Sequence, residues 1–222
     1  MIRNVLPFAA VLALTFSAAA AFAQDTPDVP PTALDKQLSR IDFAVQGVGM
    51  FNKTVKGPII PTAAPNAGLS ISDAPSNTLG ALVTLRYVAK PYFGFEGNYG
   101  YARYTQNYSN IGGVQSQANE YTLGYLITPP HTIFDFQPFV SVGAGSIGFR
   151  PTPRGGQGLK IQARAVYYYS AGIQKEYFSE HFGLRAGFRQ LFFLAPDYGQ
   201  NYLTIKQRSI TSEPFAGFYL KF

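Results

Sequence analysis

The sequence predicts an all-β fold, an eight-stranded antiparallel up-and-down transmembrane β-barrel. Three observations support this prediction: strand-length segments alternate between apolar and polar residues, the connections between them alternate in length, and the final segment ends on an aromatic residue, Phe222. In that segment, one face carries Pro214, Ala216, Phe218, Leu220 and Phe222. Tilted strands of roughly ten residues with one apolar face are what a membrane-spanning barrel requires.

The first 23 residues have the features of a secretory signal peptide. Arg3 precedes the apolar run VLPFAAVLALTF, and the small residues before Gln24 fit a cleavage site. A retained membrane anchor is the alternative, but the apolar run is too short and wrongly flanked for a spanning helix. Residues 24–40 are polar and contain proline, which predicts a flexible periplasmic lead-in, and residues 41–222 form the predicted barrel domain.

The composition suits a surface that faces lipid. Charged residues make up 14% of the chain, against about 25% in ordinary soluble domains. No run of about 18 apolar residues follows the signal, which excludes helical spans. The chain contains no cysteine, so the fold closes without disulfides. The net charge of +6 is spread along the sequence without a Lys/Arg stripe, so no nucleic-acid partner is expected.

The connections between the alternating segments are typical of an outer-membrane barrel. Short turns follow the second, fourth and sixth segments, and longer loops follow the first, third, fifth and seventh, at about 53–77, 106–116, 150–160 and 194–208. Such barrels have short periplasmic turns and long extracellular loops. The segments themselves are expected at about 41–52, 78–89, 92–105, 117–128, 136–149, 161–175, 181–193 and 209–222.

The two faces of the segments distinguish a membrane barrel from a soluble one. In the seventh segment, Leu184 and Phe188 alternate with Arg185 and Arg189, and a period of two puts each set on one surface of the sheet. We expect the apolar set to face lipid and the small or charged set to face the lumen. A soluble lipocalin-like barrel, the alternative, would turn its apolar face inward and expose Lys and Glu.

The chain resembles the small outer-membrane β-barrel superfamily of OmpA/OmpX-like barrels from about Ile41 to Phe222. Gly217, Leu220 and Phe222 match the family's C-terminal insertion signal, although Phe215 stands where that signal is usually polar. The segment QPFVSVGAGSIGF resembles a mid-barrel strand of these proteins. The resemblance implies a location in the cell outer membrane of a double-membraned bacterium. It also implies contact with outer-membrane lipid and lipopolysaccharide, and recognition of the C-terminal strand by the barrel-assembly machinery.

Six charged residues are expected in the lumen, where buried ions must be paired. Arg86 and Glu96 flank a tight turn and can face each other, and Glu213 lies on the strand beside Arg189. The sequence therefore favours a lumen plugged by charged side chains, because eight strands enclose little more space than side chains fill. A small-solute or ion pore is the alternative. The six lumen ion-pair candidates are Arg86, Glu96, Glu120, Arg185, Arg189 and Glu213.

No catalytic, metal-binding or cofactor-binding residue is predicted. Lipid-modifying barrels place a histidine near a serine and an acid at the outer leaflet, whereas His131 and His181 are both expected at the periplasmic end. The sequence therefore favours a structural or adhesin-like role over an enzyme. The loops at 53–77 and 194–208 are the candidate contacts for an extracellular ligand. The second loop contributes Tyr198, Tyr202, Lys206 and Arg208, which suit a polar or anionic partner.

Overall fold

A computed structural model of the chain describes residues 32–62, 64–90 and 92–222. The predicted signal peptide and the first part of the predicted lead-in lie outside these residues. The rest of the lead-in contains a short helix, α1 (Ala33–Leu38), where the sequence predicted a flexible segment. Thr32 and Asp35 form a capping box, in which each side chain accepts a hydrogen bond from the other's backbone N–H. Within the described ranges no helix has the length and apolar character needed to cross a membrane.

Eight strands in the described part of the chain form the barrel, and two more form a hairpin outside it. The strands are β1 (Ile41–Asn52), β2 (Val55–Pro58), β3 (Ser70–Pro75), β4 (Thr78–Lys90), β5 (Phe93–Tyr108), β6 (Gly112–Ile127), β7 (Gln137–Pro151), β8 (Gln162–Ser179), β9 (Phe182–Leu194) and β10 (Arg208–Lys221). The barrel strands occupy the eight segments predicted from alternation. The ladder of β5 and β6 continues to Tyr108 and Gly112, so the loop expected at 106–116 is instead a tight turn.

The eight barrel strands form a closed antiparallel ring, which confirms the predicted fold class. Neighbours along the chain pair with one another, and β10 returns to pair with β1 from Asp42 and Lys221 to Asn52 and Thr211. Each barrel strand therefore has a partner on both sides. A closed ring satisfies the backbone N–H and C=O groups between strands, as a bilayer-spanning sheet must.

The two ends of the barrel differ in their connections. At the end called here the turn end, the connections are residues 91–92, 128–136 and 180–181. At the opposite end, the long-loop end, the first connection contains the β2–β3 hairpin and the last spans residues 195–207. Strand β3 pairs with the part of β5 nearest the long-loop end, where Asp73 lies opposite Tyr108. The first long loop is therefore an ordered extension of the sheet.

The outward face of the barrel is apolar and aromatic. Leu79, Leu123 and Tyr125 expose 82, 75 and 66% of their surface, which a soluble protein of this size would not tolerate over a continuous band. Aromatic rings pair across strands on this face, with 5.1 Å between the ring centroids of Tyr99 and Tyr121. The alternation therefore has the orientation predicted for a membrane barrel, and the soluble alternative is wrong.

The inward face fills the lumen with side chains in two layers. Charged and polar residues occupy the half toward the turn end, and an apolar core occupies the half toward the long-loop end. Glycines create the necessary space: a Cβ on Gly124 would lie 2.2 Å from the Tyr168 hydroxyl, and one on Gly143 would lie 2.6 Å from its ring. The apolar layer includes Val48, Met50, Tyr104, Ile147, Phe149, Val166, Leu191 and Phe193.

Candidate functional site: the charged lumen and its mouth

Arg86 and Glu96 form a buried ion pair across the β4–β5 hairpin. They lie directly opposite each other in the register, and the Nη2 and Nε atoms of Arg86 lie 2.8 and 2.9 Å from Glu96 Oε2. The other oxygen of Glu96 accepts hydrogen bonds from the hydroxyls of Ser141 and Tyr168 at 2.7 and 2.8 Å. Both oxygens of this carboxylate are therefore satisfied, which offsets the cost of burying it.

Arg189 binds two carboxylates, one on each side of the lumen. Its Nη1 lies 3.2 Å from Glu213 Oε2 on the adjacent strand and 3.1 Å from Glu120 Oε2 on β6, and its Nη2 donates to the other oxygen of Glu120. The guanidinium carbon lies 4.4 Å from the centroid of the Tyr168 ring, which adds a cation–π contact. This arginine therefore ties β6, β9 and β10 together through the lumen.

Arg185 pairs with Asp42, an acid outside the six residues predicted for the lumen. Arg185 Nη2 lies 2.9 Å from Asp42 Oδ1, and the guanidinium carbon lies 4.6 Å from the centroid of the Tyr219 ring. Gln174 Oε1 accepts hydrogen bonds from both Arg185 and Arg86, which joins two ion pairs into one network. The signal available in the sequence was the even-numbered position of Asp42, which places it on the inward face of β1 with Ala44.

Little free space remains among these side chains. The cavity beside Arg189 and Glu213 has a volume of about 10 Å³, room for about one water molecule. Arg185 and Arg189 are only 1 and 2% exposed and are the largest fully buried side chains in the described part of the chain. The six residues predicted for the lumen thus lie in it, and with Asp42 they fill its charged half.

The last long loop folds into the mouth of the barrel at the long-loop end. Tyr198, Leu203 and Ile205 are each between 1 and 3% exposed. The Tyr198 hydroxyl lies 2.6 Å from the Ser116 hydroxyl and donates to Gln106. The prediction that Tyr198 contacts an outside partner is therefore wrong, because its ring fills the mouth.

Asp197 fixes the shape of this loop. Its carboxylate accepts a hydrogen bond from the Gly199 N–H at 3.0 Å, and Gly199 has a φ of 72°, which permits the sharp turn. The same carboxylate pairs with Arg164 Nη2 at 2.9 Å and accepts from the Thr204 hydroxyl at 3.1 Å. Although burial opposes ionisation, the bonds from Gln162, Gly199 and Arg164 lower the pKa of Asp197. The carboxylate therefore acts as an ionised anchor for the loop.

Asp73 is a buried acid at the mouth whose oxygens have no hydrogen-bond partner among the described residues. It lies on β3 with an exposed fraction of 0%. Burial raises the pKa of Asp73 to about 7. Burial, followed by the nearby charge of Asp73, raises the pKa of Tyr108. The buried Asp73 carboxyl group is therefore tolerated best in its protonated form.

Comparison with known proteins identifies the architecture. No protein-family model and no curated protein matches the sequence. The outer membrane protein OprG from Pseudomonas aeruginosa matches with a TM-score of 0.53 and 14% identity, over 82% of this chain and 95% of OprG. Neisserial surface protein A matches with a TM-score of 0.53 and 12% identity, over 81% of this chain and 97% of that one. This is the fold of the small outer-membrane β-barrels.

In this barrel, the C-terminal strand closes the ring. A Cβ on Gly217 would lie 2.2 Å from the carbonyl oxygen of Val45, so β10 can pair with β1 at this point only through a glycine. The Phe222 N–H donates to the Ile41 carbonyl at 3.3 Å. Leu220 pairs with Phe43 in the same register. The recognition of these residues during assembly stays a prediction.

The two histidines of the barrel lie at the turn end. His131 is exposed in the connection between β6 and β7. His181 Nδ1 lies 3.0 Å from the Lys221 carbonyl oxygen, so it interacts with the backbone of the closing strand. Across the described ranges, no group of three or more His, Cys, Asp or Glu side chains is arranged to hold a metal ion.

Proposed function

We propose that this chain is an integral outer-membrane protein with a closed lumen, and that it acts as a structural protein or through its outer surface. The observation that carries this proposal is the packed lumen. Paired ions fill the half at the turn end, an apolar core fills the half at the long-loop end, and the last loop covers the mouth above that core. The apolar outward band supports the membrane location. The turn end carries the start of β1 and the end of β10, which supports its placement in the periplasm.

A closed lumen follows from what an ion would have to cross. It would first have to displace an arginine from its carboxylates, which leaves buried charge uncompensated. It would then have to pass a layer of buried apolar side chains, and such layers block conduction by excluding water. The loop over the mouth, with Tyr198 1% exposed, is a third barrier. These barriers favour the plugged lumen over the small-solute or ion pore.

Recording from the protein in planar bilayers tests the closed lumen. We expect no conductance steps from the wild type, and none from Glu96→Ala or Arg189→Ala, because the apolar layer and the loop remain in place. Glu176→Ala is the matched control, since Glu176 pairs with Lys221 at the surface at 3.2 Å. Reproducible steps in the wild type that change in Glu96→Ala or Arg189→Ala but not in the control would establish the pore instead.

The adhesin-like role rests on the outer surface of the ordered loops. Ile60 and Leu69, at the tip of the β2–β3 hairpin, are 45 and 61% exposed. Lys206 on the last loop and Arg208 at the start of β10 are also exposed. An apolar tip beside cations suits a protein or glycan partner. We expect Ile60→Ser with Leu69→Ser, or Lys206→Ser with Arg208→Ser, to reduce cell adhesion while the barrel still folds. Unchanged adhesion in both double variants would argue for a purely structural role.

A further inference from the structure

The long-loop end carries a strong excess of positive charge. Only two acids lie there among the described residues: Asp73 is fully buried, and Asp197 is paired with Arg164. None of the exposed bases at the long-loop end has an acidic partner in the described part of the chain. These eight exposed basic residues are Lys53, Lys56, Arg103, Arg150, Arg154, Lys160, Lys206 and Arg208.

The turn end is different, so the excess is not a uniform consequence of the net charge. There, Lys175 lies 3.7 Å from Asp135 and Lys221 lies 3.2 Å from Glu176. The basic residues of the long-loop end are scattered between positions 53 and 208, so no cluster is visible in the sequence. Closure of the barrel brings them to one end.

Two of these arginines lie side by side on the outer wall of the barrel. Gln117 on β6 pairs with Arg103 on β5 and with Arg150 on β7. Both arginines are exposed, and they alternate along their strands with the buried Ala102 and Phe149. Since neighbouring strands are about 4.8 Å apart, the two Cα atoms are separated by roughly 10 Å. Two long side chains at this spacing can reach one anion between them.

The height of this arginine pair matches the edge of a membrane. The row formed by Phe93, Ile127 and Val140 lies at the opposite end of the same strands. Ten residues separate that row from Arg103 and Arg150 along β5 and β7. At about 3.3 Å per residue and a tilt of about 40°, this corresponds to roughly 25 Å, the height of the apolar band of such barrels. The arginines therefore lie at the level of the lipid headgroups.

The guanidinium groups are available to an incoming anion. Arg103 Nη2 donates to Gln115 Oε1 at 2.7 Å, a neutral partner that orients the side chain and leaves its positive charge uncompensated. Arg150 makes no side-chain hydrogen bond or ion pair with the rest of the described chain. Arginine at such a position binds phosphate oxygens through paired N–H groups.

We propose that Arg103 and Arg150, flanking Gln117, bind a phosphate group on the headgroup of an outer-leaflet lipid of the lipopolysaccharide type. The remaining exposed bases of the long-loop end add long-range attraction for the same phosphorylated surface. This inference rests on the outer-membrane location proposed above. It goes beyond that proposal because it assigns the lipid contact to a defined pair of side chains on one wall.

The test measures lipid binding to the purified full-length barrel in detergent. Native mass spectrometry gives the bound fraction of diphosphoryl lipid A and of the same lipid without its phosphates. We expect strong preference for the phosphorylated lipid, and about a 30-fold loss of its affinity in the double variant Arg103→Gln with Arg150→Gln, from about fivefold per basic residue. The matched control, Lys56→Gln with Lys206→Gln, removes the same charge from the same end and should lose no more than about twofold.

Three results would overturn the proposal. Equal losses in the two double variants would show diffuse attraction instead of a site. Equal binding of phosphorylated and dephosphorylated lipid by the wild type would show that phosphate is not recognised, and this arm needs no variant that could misfold. Displacement of lipid A by inorganic phosphate at about 10 mM would indicate a site for the free ion. The measurement is made in detergent and depends on neither the membrane location nor conductance. A negative result would therefore refute the lipid site without refuting the proposed location or the closed lumen.

Discussion

Raising the pH from 5 to 8 should loosen the β2–β3 hairpin, because it ionises Asp73 inside the mouth of the barrel. In the packed hairpin, burial raises the pKa of this carboxyl from 3.8 to about 7. An acid whose pKa is higher in the packed state stabilises that state fully at a pH below 3.8. The stabilisation is lost progressively as the pH rises to about 7, and it does not change further above that.

The size of the effect follows from the two pKa values. The rise in the pKa of Asp73 from 3.8 to about 7 corresponds to a stabilisation of the packed hairpin on the order of 4 kcal/mol at low pH. Between pH 5 and pH 8, roughly 2.5 kcal/mol of this is lost, so the hairpin should open about 70-fold more often at the higher pH. In Asp73→Asn, which cannot ionise, this dependence should disappear.

Hydrogen exchange measures the opening directly. The amides of Ile59 and Gly68 are hydrogen-bonded inside the hairpin, to Leu69 and Ile59 respectively. We expect their protection, corrected for the intrinsic effect of pH on exchange, to fall between pH 5 and pH 8 in the wild type and to stay constant in Asp73→Asn. The amide of Val45, in the β1–β10 seam, serves as the internal control. The same fall in the variant would refute the assignment to Asp73.

Three further substitutions probe the lumen and the seam. Arg189→Leu should lower the free energy of unfolding by about 3–5 kcal/mol, because it leaves two buried carboxylates without their cation; urea titration in vesicles measures the change. Gly217→Val should prevent closure, since a Cβ there would meet the Val45 carbonyl oxygen at 2.2 Å; the folded, heat-modifiable band on gels should be lost. Phe222→Ala should reduce assembly into the outer membrane without affecting export, which cell fractionation would show as periplasmic accumulation.

Each of these substitutions has a control in the same chain. Lys175→Gln breaks an exposed pair with Asp135 and should cost less than about 1 kcal/mol. Gly47→Val places its Cβ 3.9 Å from the Ala216 carbonyl oxygen, so it should fold normally. Normal folding of Gly217→Val, or equal costs for the two charge removals, would contradict the structural reasoning. Loss of export in Phe222→Ala would point to a role other than insertion.

Contacts between neighbouring strands could be predicted from the sequence. Alternation puts Arg86 and Glu96 on the inward faces of two strands joined by a tight turn, so they could be predicted to lie near each other, although a register shift between Val88 and Lys90 sets their direct pairing. Arg189 and Glu213 could be placed near each other because they lie on the inward faces of consecutive strands at a similar height. Period-two alternation also decided which side chains face lipid, because this depends only on neighbouring residues in one strand.

Contacts across the lumen could not be predicted in this way. Arg185 and Asp42 are 143 residues apart and lie on strands that are separated by β10. Their meeting depends on how far the strands are staggered when the ring closes, and no local pattern encodes that stagger. The burial of Tyr198 was missed for a related reason: polar loops usually face solvent, and only the empty mouth of the closed barrel gives this ring a place to pack.

The β1–β10 seam also determines how this chain can fold. It joins Asp42 to Lys221, so its contacts span almost the whole barrel sequence. Contacts between such distant residues form late, because the chain must first lose the entropy of a very long loop. Until β10 is in place, β1 and β9 both present open edges that can pair with other chains. The slow step of folding should therefore be docking of the last strand, and a chain stalled before it is the form most prone to aggregate.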